Sequence, residues 1–538
     1  MILNSLAHPR QKAGKRYPMR RAVFLIAMIS LGCIRPTAAQ EKPADSLIAD
    51  AAQWDLLARQ YPWLQTSNAA AVNQLGQLAY GRTYAGYAYT DGGYHRPQEA
   101  STDKQLLFRS ERYQPLGKAG FYGLFEYRQD WAKNIQWSDV LDPFRGSPYL
   151  LADSVGGDWK KQFFHLEAKA ATAPLANGKL TPGLGISYQA NTGARQNDPR
   201  PLSYVNQLDL NPSAIYQINS GQQAGLSGHY GYFKEDIDIG LRRNDRIYGI
   251  YKLKGLGMHN TPEPTSSGAS RGYGGKSWGG GAQYQLESSQ GVAFLSSLGY
   301  VAYLENTRDG ITSPRNGGQY KRQSIQFNNS LQWGQQYLQQ LRAAFQYEKG
   351  AGREYHEEYV NSSSSYQTIF EAIFYRSELR TGTLAYQIYQ PYGLHGLRWL
   401  AEAQVMYTGL SNDYLLSQPG SQQVNLLEYQ LSGKWYPGRQ WQVSAGAGYR
   451  QCLRRSLSST GSSPEVANGL LNPDYDYLSS QGWQAQAGLR YQFWVPCAKN
   501  TAFFIEGQGT FRQRTDQGLY PGYGNSRQYL SFSIGAYY

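Results

Sequence analysis

The sequence predicts an all-β protein: a single transmembrane antiparallel β-barrel of about 18 strands (range ~14–20), with long extracellular loops and short periplasmic turns. Three observations predict it. From about residue 78 to the last residue, segments roughly 10–14 residues long alternate apolar and polar side chains, the period of a strand with one oily and one wet face. The composition is 14% aromatic with 45 Tyr and 59 Gly, yet only 17% charged, against ~25% in ordinary soluble chains. A chain this rich in aromatics is not disordered. Finally, the amino terminus carries an export signal, and beyond it no apolar run approaches the ~18 residues a membrane helix needs, which excludes a helical membrane protein.

Residues 1–39 form the signal peptide. Lys15, Arg16, Arg20 and Arg21 supply the basic region, Ala22 to Ile34 the apolar stretch, and Thr37-Ala38-Ala39 the small residues before mature Gln40. The segment holds seven basic and no acidic residues, so its removal lowers the formal charge from +13 to +6. The basic balance is therefore poor support for a nucleic-acid partner, and none is expected. Cys452 and Cys497 remain, too few for a disulfide scaffold. They are read at opposite ends of the wall, hence unpaired.

Residues 40–77 are read as a periplasmic N-terminal helical segment or short plug. Ser46 to Leu57 has helical spacing with Ser46 as its cap. The barrel then occupies 78–538. Its last strand shows the pattern best: Leu530, Phe532, Ile534, Ala536 and Tyr538 on one face, Tyr529, Ser531, Ser533, Gly535 and Tyr537 on the other. Phe532, Ile534 and terminal Tyr538 are read as the signal for barrel assembly. Trp441 to Arg450 and Trp483 to Phe493 repeat the alternation, with aromatics at segment ends, where strands meet membrane interfaces.

Tight turns are read at 114–118, 219–223, 287–290, 334, 390–395, 437–439 and 495–498. Long connections are read at 131–160, 191–202, 234–275, 304–319, 349–376, 409–421, 451–481 and 513–526. Short and long connections alternate on this reading. It takes Arg246 to Gly255 as a hairpin arm above the membrane and 366–376 as the upper part of one long strand ending near Gln390. A soluble sandwich would also alternate, but its strands run ~5–6 residues, half the length seen here.

The same alternation assigns twelve charged residues to the interior: Glu126, Arg128, Arg342, Glu348, Arg398, Glu402, Glu428, Lys434, Arg450, Arg490, Glu506 and Arg512. Facing lipid, a midplane Arg or Lys would cost ~2–4 kcal/mol. Inside, they form either a salt-bridge network filling the lumen or a charged constriction that selects solutes. Chemistry is otherwise sparse. His356 sits among Glu354, Glu357 and Glu358 with no second His or Cys nearby, so a solvated loop is expected rather than a metal site. Tyr273-Gly274-Gly275-Lys276-Ser277 lacks phosphate-loop spacing. The mature His residues (His95, His165, His229, His259, His356, His395) are scattered, and no partnered Ser is evident for His165. No enzyme, metal or cofactor is expected. The loops are rich in Tyr, Ser, Gly and Trp, suited either to contact with partners or to packing over the barrel mouth.

The export signal, the Tyr/Gln/Gly-rich strands and the terminal Tyr537-Tyr538 resemble outer-membrane β-barrels of the Bacteroidetes lineage, and the whole mature chain looks like one of their uncharacterised families. Ser67-Asn68-Ala69-Ala70-Ala71-Val72 is similar to the stretch before strand one in long-chain fatty-acid transporters, with Ala69 where those carry proline. The resemblance implies a Gram-negative outer-membrane location, with outer-membrane lipids and the barrel assembly machinery as partners. TonB-dependent transporters resemble 22-stranded barrels with plugs of ~120 residues, for which 40–77 is too short. Two functions are expected. One is a channel or transporter for a small hydrophilic or amphipathic solute. The alternative is a non-conducting docking subunit of a surface complex with a lipoprotein or a TonB-dependent transporter.

Overall fold

The structure, a computed structural model, describes residues 50–538 apart from 244, 265–268, 311–312, 363, 393–395, 416–418, 499 and 521–523. The signal segment, Ser46 and His395 thus lie outside the described residues. Eighteen strands form one closed antiparallel sheet. In chain order the wall comprises β1 (Tyr80–Asp91), β2 (Thr102–Leu116), β3 (Ala119–Ile135), β5 (Gly157–Ala171), β6 (Leu180–Arg195), β7 (Arg200–Asn219), β8 (Gln222–Gly240), β12 (Ala269–Glu287) and β13 (Ala293–Asp309). It continues through β14 (Arg315–Trp333), β15 (Leu338–Val360), β16 (Ser365–Pro391), β17 (Leu397–Tyr414), β18 (Gly420–Trp435), β19 (Trp441–Ser459), β20 (Gly482–Trp494), β21 (Ala502–Arg514) and β22 (Ser526–Tyr537). The ring closes where β1 pairs with β22, from Arg82 opposite Tyr537 to Asp91 opposite Gln528. Closure removes both sheet edges, the condition for burying a sheet in hydrocarbon.

The outward face is apolar. Leu226, Leu431, Leu298, Leu384, Phe532 and Ile534 are all exposed on it, where their alternation leaves the polar set inside. Aromatic pairs on neighbouring strands brace this face, among them Trp441 with Tyr491 (ring centroids 4.7 Å apart) and Trp483 with Phe511 (5.5 Å). No described helix is long and apolar enough to cross a membrane.

One end of the barrel carries the tight turns. Gly117 and Lys118 link β2 to β3, with Gly117 in the left-handed region (φ +60°) that its missing Cβ permits. The link between β5 and β6, residues 172–179, belongs to this end and was not among the expected turns. The link 92–101 between β1 and β2 was likewise absent from the expected loops. At the loop end several expected loops are strand. β6 and β7 are separated only by 196–199, and β15 and β16 form one long hairpin with a turn at 361–364. Beyond the last pairings to β14 (at Arg353) and β17 (at Tyr375), that hairpin projects as two strands.

Inside the turn end lies residues 50–77. Helix α1 (Ala51–Gln60) starts at Asp50, whose side chain accepts the Gln53 N–H as N-cap. Short helical turns follow at Pro62–Gln65 and Ala69–Leu75. Ala51, Ala52 and Leu56 bury against Tyr389, Leu397, Phe504 and Tyr537 of the wall, while Trp63, Ala70 and Ala71 bury against Ile215 and Leu295 on the far side. The segment therefore spans the bore.

The loop end is covered as well. Loop 241–268 carries β9 (Gly249–Gly255), which pairs with β4 (Leu151–Ala152) of loop 136–156 and with β10 (Met258–His259) and β11 (Glu263–Pro264). The expected arm standing above the membrane instead folds into the mouth. Its Ile250, Tyr251 and Leu253 bury with Trp137, Leu151 and Val466 against inward-facing Ile237, Ile239 and Tyr273. Leaving three such side chains in water would forgo roughly 1.5–3 kcal/mol each.

Candidate functional site in the barrel lumen

Between the inner segment and the loop cap lie two neighbouring chambers. The lower, about 530 Å³, reaches from Pro62, Gln65, Thr66 and Ser67 to His229 and Val301. The upper, about 660 Å³, shares His229 and Val301 and ends beneath Leu141, Asp142 and Arg145 of the cap.

The twelve charged residues fall as follows. Arg342 bonds Glu402 across β16 (2.7 Å), Arg490 bonds Glu506 (2.7 Å) and also Gln442 and the Tyr537 hydroxyl, and Arg450 lies 3.5 Å from Glu428 while donating to the Leu478 carbonyl. The other charged residues pair outside the set. Glu126 accepts from Arg109 (3.0 Å), Arg128 pairs with Asp130 (3.1 Å), Glu348 with Arg322 (3.3 Å), and Lys434 with Asp55 of α1 (2.7 Å). Arg512 donates to Gln484 at 3.3 Å. Arg398 falls at the β16–β17 bulge opposite Gln390 and Pro391, where the alternation breaks, and is exposed at the turn-end rim with its guanidinium over Tyr392. Of the residues read from the sequence as an assembly signal, Phe532 and Ile534 face outward, and Tyr538 bonds Thr83 across the β1–β22 seam at 2.9 Å.

Several partners escaped the sequence reading. Arg109 and Glu111 share the inward face of β2, and Arg82, Arg109 and Tyr122 all donate to Glu111; alternation along β2 was the signal. Arg145 and Asp55 lie outside the strands, where period two gives no facing. Arg145 meets Glu305 and Glu235 at the roof of the upper chamber. Asp55 accepts from Lys434 and from the Tyr436 hydroxyl. Burial raises the Asp55 carboxyl, but the Lys434 and Arg59 charges and these hydrogen bonds outweigh it and hold it below the ordinary range.

His165 and His229 are partnered after all. His165 Nε2 lies 3.0 Å from Ser187 Oγ on the adjacent strand. His229 Nδ1 lies 3.1 Å from Asn211 Oδ1 and its Nε2 2.8 Å from Ser277 Oγ, with Asp209 Oδ1 at 3.9 Å. Gly231 makes room, since a Cβ there would stand 2.3 Å from Ser277 Oγ. These partners come from strands 18 to 48 residues apart, so nothing local announces them. Serine, imidazole and amide stand in the order of a hydrolase relay. Yet β12 is paired on both edges, which commits the N–H groups beside Ser277 to the ladder. The set reads as a cross-strand polar ladder lining the lumen.

The inner segment is fixed by polar contacts. Asn68 Nδ2 donates to the Ala214 and Leu226 carbonyls and to Gln283 Oε1 (3.2, 3.3 and 3.1 Å), and its Oδ1 accepts the Ala70 N–H. Glycines let the wall approach: a Cβ on Gly183 would lie 2.4 Å from the Ala70 nitrogen, and one on Gly120 2.8 Å from the Val72 carbonyl.

Among solved structures, the chain is similar to the FrpB iron transporter from Neisseria meningitidis (10% identity, TM-score 0.37, covering 88% of this chain and 83% of that one). It is also similar to a Pseudomonas aeruginosa FadL homologue (12%, 0.32, 92% and 99%) and to the ferric yersiniabactin uptake receptor FyuA from Yersinia pestis (10%, 0.39, 85% and 79%). No curated protein matches the chain. Residues 69–538 match the model of DUF6850, a family of unknown function, and the chain belongs to that family.

Proposed function

We propose that this protein is a gated channel or transporter for a small hydrophilic or amphipathic solute in the outer membrane of a Gram-negative bacterium. The turn end with the inner segment faces the periplasm, and the loop cap faces outward. One observation carries this reading: two chambers with hydrogen-bonding side chains in their linings lie inside an apolar-walled ring, and the chain's own residues 50–77 span the bore at one end. Residues 50–77 act as the plug, and the lumen charges, each answered by a neighbour, shape the path rather than attract ions. The Tyr/Gly-rich composition fits a Bacteroidetes-lineage origin, Phe532, Ile534 and Tyr538 fit recognition by the barrel assembly machinery, and outer-membrane lipids cover the wall. The test is conductance in planar bilayers and solute flux in liposomes, comparing the full chain with a variant lacking 50–77. A low, flickering conductance that becomes large and steady on deletion is expected. Silence of both forms overturns the reading.

The projecting part of the β15–β16 hairpin favours a second reading. Tyr359, Ile369, Phe370 and Ile373 are exposed on it, as a docking subunit for a surface lipoprotein or a TonB-dependent transporter would require. Silent bilayers together with a co-purifying partner that is lost on trimming the hairpin would favour it.

A further inference from the structure

We propose that the lower chamber is a binding site for a neutral, hydroxyl-rich small molecule of the saccharide class. The proposal rests on the channel reading and names the solute's chemistry. Its inward-facing polar groups are chiefly amide and hydroxyl, set among apolar Leu295, Val301 and Ala385: Ser67, Ser297, Ser324, Gln326, Asn328 and Gln404 project into about 530 Å³, within the range of small-molecule sites. The one permanently charged side chain on that lining, Arg342, is neutralised by Glu402 at 2.7 Å. His229 is occupied by Asn211 and Ser277.

Several of these groups are unspent. Ser297, Gln326, Asn328 and Gln404 make no side-chain hydrogen bond among the described residues, and Ser324 Oγ is buried without a partner in a residue only 9% exposed. A buried polar group such as Ser324 Oγ is normally satisfied, so a ligand or water completes it, while the side chains of Gln326 and Asn328 stand exposed to the lumen. Register sets the groups together: Asn328 stands opposite Ser297, and Gln326 opposite Gly299, whose missing side chain leaves the floor open.

The chemistry then selects. A side-chain amide both donates and accepts, and so does a sugar hydroxyl. A solute carrying net charge would shed hydration and find no free countercharge, which is costly. The upper chamber differs, because its lining includes Glu126, Arg128, Arg145 and Glu235. The selective step for a neutral solute therefore lies in the lower chamber, directly above the inner segment.

The test is calorimetry on the detergent-purified full chain with maltotriose, against gluconate, glucosamine and N-acetylglycinamide at matched concentration. Maltotriose is expected to bind at least about tenfold more tightly than either charged probe and than the amide. Asn328→Leu and, separately, Gln404→Leu are expected to weaken maltotriose about tenfold while the heat-shifted gel mobility of the folded barrel is kept. Equal or tighter binding of a charged probe or of the amide, no binding of any probe, or unchanged affinity in both folded variants overturns the proposal. Flux is measured separately. Binding without flux sinks the channel and spares the site, whereas flux without preference for the sugar sinks the site and spares the channel.

Discussion

At the scale of the residue, the decisive groups are the charges that tie mobile parts to the wall. Asp55 is held below the ordinary carboxylate range, so its contribution is present above pH ~4 and is lost as pH falls through its lowered value. Conductance is expected to rise when the turn-end solution is acidified below pH ~4. Asp55→Asn, which weakens the bonds from Lys434 and Tyr436 at an estimated cost of about 1–3 kcal/mol, should produce that state at neutral pH. A variant conducting like the parent chain would contradict this. Asp139 behaves oppositely. It and Asp153 are fully buried against one guanidinium, Arg195, which lies 3.0 Å from Asp139, and Asp153 also accepts the Val155 and Gly156 N–H groups. Burial, then the neighbouring Asp153 charge, raises the Asp139 carboxyl well above its ordinary value. Its stabilisation is thus full at low pH and lost as pH climbs through that raised value. Hydrogen exchange across 136–156, corrected for intrinsic rate, should quicken as pH rises from ~4, and Asp139→Asn should flatten the slope. The strand charges were legible because alternation fixes facing. Asp55, Arg145 and Asp139 were not, because a helix and two loops carry no period-two signal.

At the scale of the element, the inner segment and the last strand matter most. The wall approaches the segment through glycines, so Gly183→Val should drive the Ala69–Leu75 turn off its seat without disturbing the β5–β6–β7 ladder. Raised conductance and protease cleavage within 50–77 are the expected readouts; cleavage no faster than in the parent would refute it. The helix itself was legible from its spacing, but the described start at Ala51 with Asp50 as cap was not, since Asp50 is one of several residues able to cap. The turn at 172–179 was overlooked although Asn177-Gly178 carries a turn signal and both take positive φ; the run from 131 to 202 was read through long loops alone. β6, β7 and β15 were read as shorter than they are, whereas β16, read as one long strand from 366 to near Gln390, spans Ser365–Pro391. Outside the hydrocarbon both faces of a projecting strand meet water or cap, and the apolar–polar contrast fades.

At the scale of the whole molecule, lipid imposes the pattern. Every outward position must be oily over the same height, and that shared requirement makes the barrel readable where the cap is not. The cap is held by pairings among residues up to some hundreds of positions apart, such as Arg96 with Asp474 (2.9 Å) and His259 with Ser463 (2.9 Å). Leu431→Arg, placed on the bare outer wall, should destabilise the barrel by about 2–4 kcal/mol in lipid if near the midplane, read as a lower urea midpoint. Indifference to the substitution would mean that this face does not meet lipid. Cys452 and Cys497 are both free thiols, so reduction should leave gel mobility unaltered.

The inner segment leaves its last turn at Leu75, passes Gly76 at φ +58°, and enters β1 at Tyr80. A leash of so few residues lets the segment swing aside but never leave. Once displaced it would search a volume of molecular size, at an effective concentration of roughly millimolar. Reclosure is then a first-order event, indifferent to how many copies share the bilayer, and the time the pore stays open is set by the leash and its hinge.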